Sequence, residues 1–276
     1  MAKTKPSDGD ALSFSAQGAG RESARRVARR LAKQRARDGE PVLERAEELA
    51  RRQEVAARLI ACELVPLSFE EDPGEAMAVL RDLIGDADRS VRTAAVAAAS
   101  RVAETHFERM AATLVAWRDA TSPDARRAVA AVVARAATPH RLERAPHLLR
   151  LIGPLLTDAE PAVHRAVGAQ ALDGLLRAYP EATFEALVEW STSSDPHVLR
   201  NVASALCGEA AAPLAKRALI VLRKLSLDDR RAVWRLAGGA MWRLGRRRPD
   251  VVRPELERWL EDETRAKVAR EALRFL

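Results

Sequence analysis

"DADRSVRTAAVAAA", residues 86–99, sets the fold. An acidic turn is followed by apolar residues three and four apart at Val91, Ala95, Ala98 and, just beyond, Val102, the spacing that lays one apolar stripe along an α-helix. The pattern returns in "TSPDARRAVAAVVA" (121–134), "DAEPAVHRAVGAQA" (158–171), "SSDPHVLRNVASAL" (193–206), "LDDRRAVWRLAGGA" (227–240) and "EDETRAKVAREALR" (261–274). Anchored on Val91, Ala125, Val163, Val198, Val233 and Val268, the segments are spaced 34, 38, 35, 35 and 35 residues apart. "RRQEVAARLIACEL" (51–64) fits as a more divergent first unit anchored on Val55. Such a period is the length of one helical hairpin, which buries its apolar face only against its neighbours in a stack. The expectation is an all-α fold, an α-solenoid of about seven hairpins.

The turns carry their own signals. Asp88, Ser122, Asp158, Asp195 and Asp228 precede the second helices, where a side-chain oxygen can take a free helix N–H. Pro180 and Pro249 suit the first turn of a first helix.

Composition agrees. Of the 276 residues 47% are apolar but only 4% aromatic, and the preponderance of alanine, leucine and valine favours close helix packing. Cys62 and Cys207 lie far apart inside apolar helical patterns and read as buried thiols of a reducing compartment. There is no CxxC and no HExxH, and the five histidines show no metal-ligand spacing, so neither metal nor cofactor is expected. No apolar run reaches the length of a membrane span, and a cytoplasmic protein is expected.

The net charge of +7 is concentrated in two places. Residues 21–37, "RESARRVARRLAKQRAR", hold eight bases and one acid, and the span Arg230 to Arg248 holds seven arginines and no acid. Each patch carries +7, so the rest of the chain sums to −7. The expected organisation is a disordered polar tail over 1–19, a basic N-terminal helix and cap over 20–46, and the repeat array over 47–276. For the basic helix three readings stand: a solvated cap, an arm for DNA or RNA phosphates with Arg25, Arg29, Lys33 and Arg37 at spacing four, or a membrane-surface helix, for which Val27 and Leu31 offer little apolar surface.

The units resemble HEAT repeats, whose signature is a turn Asp followed by Val-Arg at the start of the second helix, as in "DADRSVR". In later units an arginine stands two after the anchor: Arg127, Arg165, Arg200, Arg235 and Arg270. If second helices line one face, these form a ladder of guanidinium groups about 8–10 Å apart, serving either bonds to turn Asp residues between repeats or contacts to phosphates.

A narrower resemblance lies in "VEWSTSSDPHVLRNVASAL" and "VWRLAGGAMWRLGRRRPDVVRPELERWL", which look like the repeats of bacterial alkylpurine DNA glycosylases of the AlkD/AlkC type. That resemblance implies duplex DNA in a basic concave groove and removal of cationic alkylated purines by a carboxylate assisted by tryptophans. A carboxylate suits positive charge developing on the sugar, and aromatic faces suit a cationic base. Trp190 falls at the first tryptophan position, the Asp position falls on Ser194 with Asp195 one residue late, and the second tryptophan position falls on Gly239, flanked by Trp234 and Trp242. A tryptophan near the end of a first helix also recurs at Trp117 and Trp259, which reads as core packing.

Two functions follow. In one, Arg127, Arg165, Arg200, Arg235, Arg243, Arg246, Arg247 and Arg248, with Trp234 and Trp242, bind duplex DNA, and Asp195 and Trp190 act at a damaged base. In the other, the chain is a non-catalytic scaffold for an acidic protein partner.

Overall fold

The computed structural model describes residues 21–274 and 276. The polar stretch 1–19 lies outside them. Among the described residues every regular element is helical, and the chain divides into two compact units, one ending at Ala128 and the other starting at Val129. Each unit is a stack of helical hairpins of the solenoid type.

In the first unit α1 (Arg21–Asp38) is followed by α2 (Val42–Ala50), α3 (Val55–Ser68), α4 (Pro73–Ile84), α5 (Arg89–Arg118) and the opening of α6 (Pro123–Ala136). Gly39, at φ 72°, ends α1 in the left-handed conformation that glycine adopts without steric cost. Pro41 brings no capping side chain to α2, and the Glu71 carboxylate accepts from the N–H groups of Val42 and Leu43 instead. Helix α5 bends at His106 (φ −123°, ψ 33°), so it serves as the second helix of one hairpin and the first of the next without a loop.

The second unit completes α6 and continues through α7 (Ala145–Ile152), α8 (Pro161–Ala166), a π-helical stretch (Val167–Ala171), α9 (Leu172–Ala178), α10 (Pro180–Trp190), α11 (Pro196–Ala205), α12 (Ala215–Leu225), α13 (Arg231–Arg247), α14 (Pro249–Leu260) and α15 (Ala266–Leu273). The second helices stack in order, α11 on the π-helical stretch, α13 on α11 and α15 on α13, while α7 meets α10 and α12 meets α14 in the other layer. Pro180 and Pro249 are first residues of their helices, as expected.

The repeat register holds with one correction. Val91, Ala125, Val163, Val198, Val233 and Val268 are all buried, and each is the third residue of its helix. The third residue of α3 is Ala57, buried at 3%, whereas Val55 is only half-buried. The first anchor is therefore Ala57, 34 residues before Val91. The correction explains a device absent from the sequence pattern. Arg58 donates to the carbonyls of Arg52 and Gln53, Arg92 to those of Asp86 and Ala87, and Arg126 to those of Ala120 and Thr121. Each arginine stands one after its anchor and ties down carbonyls five and six residues back that the preceding turn leaves without helical partners. Arg58 also pairs with Asp86 at 2.7 Å.

The turn acids divide into two kinds. Asp88 accepts from the N–H groups of Ser90 and Val91, and Asp195 from that of His197, which caps their helices. Asp158 and Asp228 accept from Glu160 and Arg230, residues that precede α8 and α13, so they brace turns. Ser122 immediately precedes α6.

A buried carboxylate joins elements of the second unit. Glu255 accepts from Arg223 at 2.5 and 2.8 Å and from Nε1 of the buried Trp259 at 2.7 Å. The Arg223 bonds, then the Trp259 bond, hold its carboxyl below the usual glutamate range against the opposing effect of burial. Trp259 and Trp117 are core residues, 4% and 3% exposed. Cys62 and Cys207 are free and buried, and burial raises the Cys62 thiol to about 12, which leaves it protonated and unreactive at neutral pH.

In the second unit the position one after the anchor is His164, Leu199, Trp234 or Ala269. His164 is buried, its ring edge-on to His197 with centroids 6.0 Å apart. Burial, then the charge of Arg200, pushes its pKa below the ordinary 6.5. The unfolded chain binds this proton first, so stability is full above 6.5 and falls as pH drops from 6.5 to the lower folded value. Thermal melts across that window should show a loss that His164→Gln reduces; an unchanged slope in the variant would refute the assignment.

Candidate nucleic-acid interface

Helix α13 positions the site. Val233, Ala237, Ala240, Met241 and Leu244 are buried, which turns Arg235, Gly239, Trp242 and Arg246 outward along one stripe at helical spacing. On the adjoining α15, Val268, Ala269 and Ala272 are buried and Arg270 is exposed. Gly238 and Gly239, a pair in sequence, do different work. A side chain at Gly238 would meet Val268 and Glu271 at 3.6–3.7 Å, whereas one at Gly239 would meet nothing within 4 Å. Gly239 opens into a hollow of about 360 Å³ lined by Arg235, Leu236, Gly238, Gly239, Trp242 and Glu271.

The two tryptophans of α13 separate in the same way. Lys267 places its ammonium 5.4 Å from the Trp234 ring, while Trp242 walls the hollow, with Arg246 5.9 Å from its ring. An aromatic face, a carboxylate and open space thus meet beside a row of arginines.

The arginines fall into three groups. Arg127, in the first unit, pairs with Asp124 at 2.9 Å, and Arg248 binds Asp250 through two nitrogens, so both are committed. Arg235 lies 3.5 Å from Glu271, and Arg247 lies 3.7 Å from Glu209 while donating to the Cys207 carbonyl. Arg165, Arg200, Arg243, Arg246 and Arg270 have no acidic partner among the described residues, and all but the half-buried Arg200 are exposed. The span 230–248 has no acid of its own, but Asp228, Glu271, Glu209 and Asp250 from outside it pair with Arg230, Arg235, Arg247 and Arg248. Within the second unit, the ladder position two after the anchor forms no bond to a turn Asp. In the first unit the arginine one after the anchor serves the turns.

Trp190 ends α10 and is half-buried. Asp195 is occupied as the cap of α11, its Oδ1 accepting from His197 at 2.7 Å. The Glu271 carboxylate at the hollow was not singled out by sequence, where it looks like one half of an ordinary Arg-Glu helix surface. Among the described residues no group of three or more His, Cys, Asp or Glu is placed to hold a metal ion, and no helix is long and apolar enough to cross a membrane.

A family model described as DNA alkylation repair enzyme matches residues 13–186. The chain belongs to this DNA alkylation repair family. The match runs through the first unit and into α10 of the second, taking in Arg127 and Arg165 and ending four residues before Trp190. Asp195, the α13 stripe and the hollow thus lie past the matched residues. A search of curated proteins gives no match. Among solved structures, a designed armadillo repeat protein is 20% identical with a TM-score of 0.33, covering 74% of this chain and 99% of its own. An engineered protein is 19% identical with a TM-score of 0.33, covering 87% and 98%.

Proposed function

We propose that this member of the DNA alkylation repair family binds duplex DNA on the second-helix face of its second unit and excises a cationic alkylated purine received beside Gly239. The observation that carries the reading is the hollow itself, where the Trp242 ring and the Glu271 carboxylate border open space together with Arg235, and Arg246 stands 5.9 Å from the Trp242 ring. Phosphates are held by guanidinium groups whatever the sequence. A cationic base is attracted to an aromatic face. Its glycosidic bond breaks with the electron pair leaving on the base, which departs neutral, and positive charge passes to the sugar. A nearby carboxylate stabilises that charge, orients the water that adds to the sugar carbon and accepts the proton the water loses.

Glu271 is the better placed of the two carboxylates, since it borders the hollow and meets Arg235 only at 3.5 Å, whereas Asp195 lies outside that lining and caps a helix at 2.7 Å. Single-turnover release of alkylpurine from methylated duplex DNA separates them. Glu271→Gln should abolish release and leave binding intact, with Asp195→Asn retaining activity. The reverse result would return the role to Asp195 and Trp190. Binding without release by the unaltered chain would overturn excision but leave DNA binding, and absence of both at low salt would leave the scaffold reading with an acidic protein partner.

A further inference from the structure

The first unit carries a second cationic surface, separate from the hollow beside Gly239. Helix α1 packs through Ala24, Ala28 and Leu31, which are buried and recur at four and three residues, against α3. Arg35, on the same side, is withdrawn into structure: it donates to the Pro41 carbonyl at 2.8 Å and pairs with Glu44 and Glu40 at 3.0 and 3.4 Å. The opposite side presents Arg25, Arg26, Arg29, Arg30, Lys33 and Arg37, all exposed and none with a hydrogen-bonding or ionic partner among the described residues. Between Glu22 and Asp38 that face has no acid.

We propose that the outer face of α1 is a phosphate-binding surface for the backbone of duplex DNA. Arg25 to Arg37 span about 18 Å of helix axis at 1.5 Å per residue, with a cation on every turn. Holding six like charges on one face costs self-repulsion, which binding a polyanion relieves, with release of its counterions. A lipid surface fits worse. An interfacial helix inserts an apolar face, and here the buried apolar residues are packed on α3, Val27 and Ala32 are half-buried, and only the small Ala36 is exposed among the described apolar residues of α1. The surface needs nothing from the hollow, and its test is independent of it.

Lysine acetylation footprinting of the intact chain, with and without unmodified duplex DNA, reads this surface directly. Lys33 is exposed on α1, whereas Lys216 and Lys224 are exposed on α12, a first helix of the other unit, and serve as internal controls. DNA should protect Lys33 and leave the two α12 lysines reactive; an unprotected Lys33 refutes the proposal. In a second measurement, R26Q/R30Q/K33Q/R37Q should reduce the salt slope of duplex binding by about three to four, with the circular dichroism of the unaltered chain. Glutamine preserves helix propensity. An unchanged slope, or loss of binding to phosphatidylserine vesicles while DNA binding persists, overturns it. The footprint uses the unaltered sequence, so it decides the matter even where the fourfold variant folds poorly.

Discussion

Replacing Arg165, Arg243, Arg246 and Arg270 together with glutamine should flatten the dependence of duplex DNA binding on salt by about three to four in the log–log slope, at about 0.9 for each phosphate no longer neutralised. The four are exposed on second helices of the second unit and have no acidic partner among the described residues. Affinity should fall by a similar factor on every sequence, as expected of groups that hold backbone and do not read bases. Arg127 and Arg248 provide the contrast. Both belong to the same arginine-rich patterns, but the bonds to Asp124 and Asp250 neutralise them, and R127Q/R248Q should leave the slope nearly unchanged. Anisotropy titrations between about 50 and 200 mM salt cover the range where such slopes are measurable. Equal effects from the two variants would mean that the surface binds by net charge alone.

That contrast also marks where sequence was informative. The period was visible because a buried second-helix stripe must recur whenever a hairpin stacks, and six of seven anchors stand at the same helical position. The first slipped by two residues because Val55 is the more hydrophobic candidate, while the buried residue is the smaller Ala57. The pairing of Arg235 and Arg247 was not legible, since their acids come from other elements: Glu271 is 36 residues from Arg235 and Glu209 is 38 from Arg247. Glu271 escaped notice for the same reason, because only the packing of α15 on α13 brings it to Gly239. Gly238 and Gly239 are adjacent in the sequence, but which of them meets a helix and which meets open space depends on rotation about the α13 axis.

Substitutions at two glycines test how tightly the second unit is built, with opposite expected signs. A methyl group at Gly174 would lie 2.9 Å from both the Cα and the carbonyl oxygen of Ala134. These are backbone atoms of α6, which cannot rotate away, so α9 and α6 must separate. Overpacking of this kind costs about 1–3 kcal/mol, and Gly174→Val should stand at the upper end, lowering the melting temperature by about 2–4 °C per kcal/mol for a unit of this size. At Gly239 the same methyl meets nothing. Gly239→Ala then removes only the entropic cost of glycine in a helix and should stabilise by roughly 0.5–1 kcal/mol. Urea melts of Gly174→Ala and Gly239→Ala, identical changes in helical segments, should therefore shift the midpoint in opposite directions. A stabilised Gly174→Ala would show that α9 and α6 pack less closely than a 2.9 Å approach requires. A destabilised Gly239→Ala would mean that the space beside Trp242 is not open, and the proposed base site would lose its room.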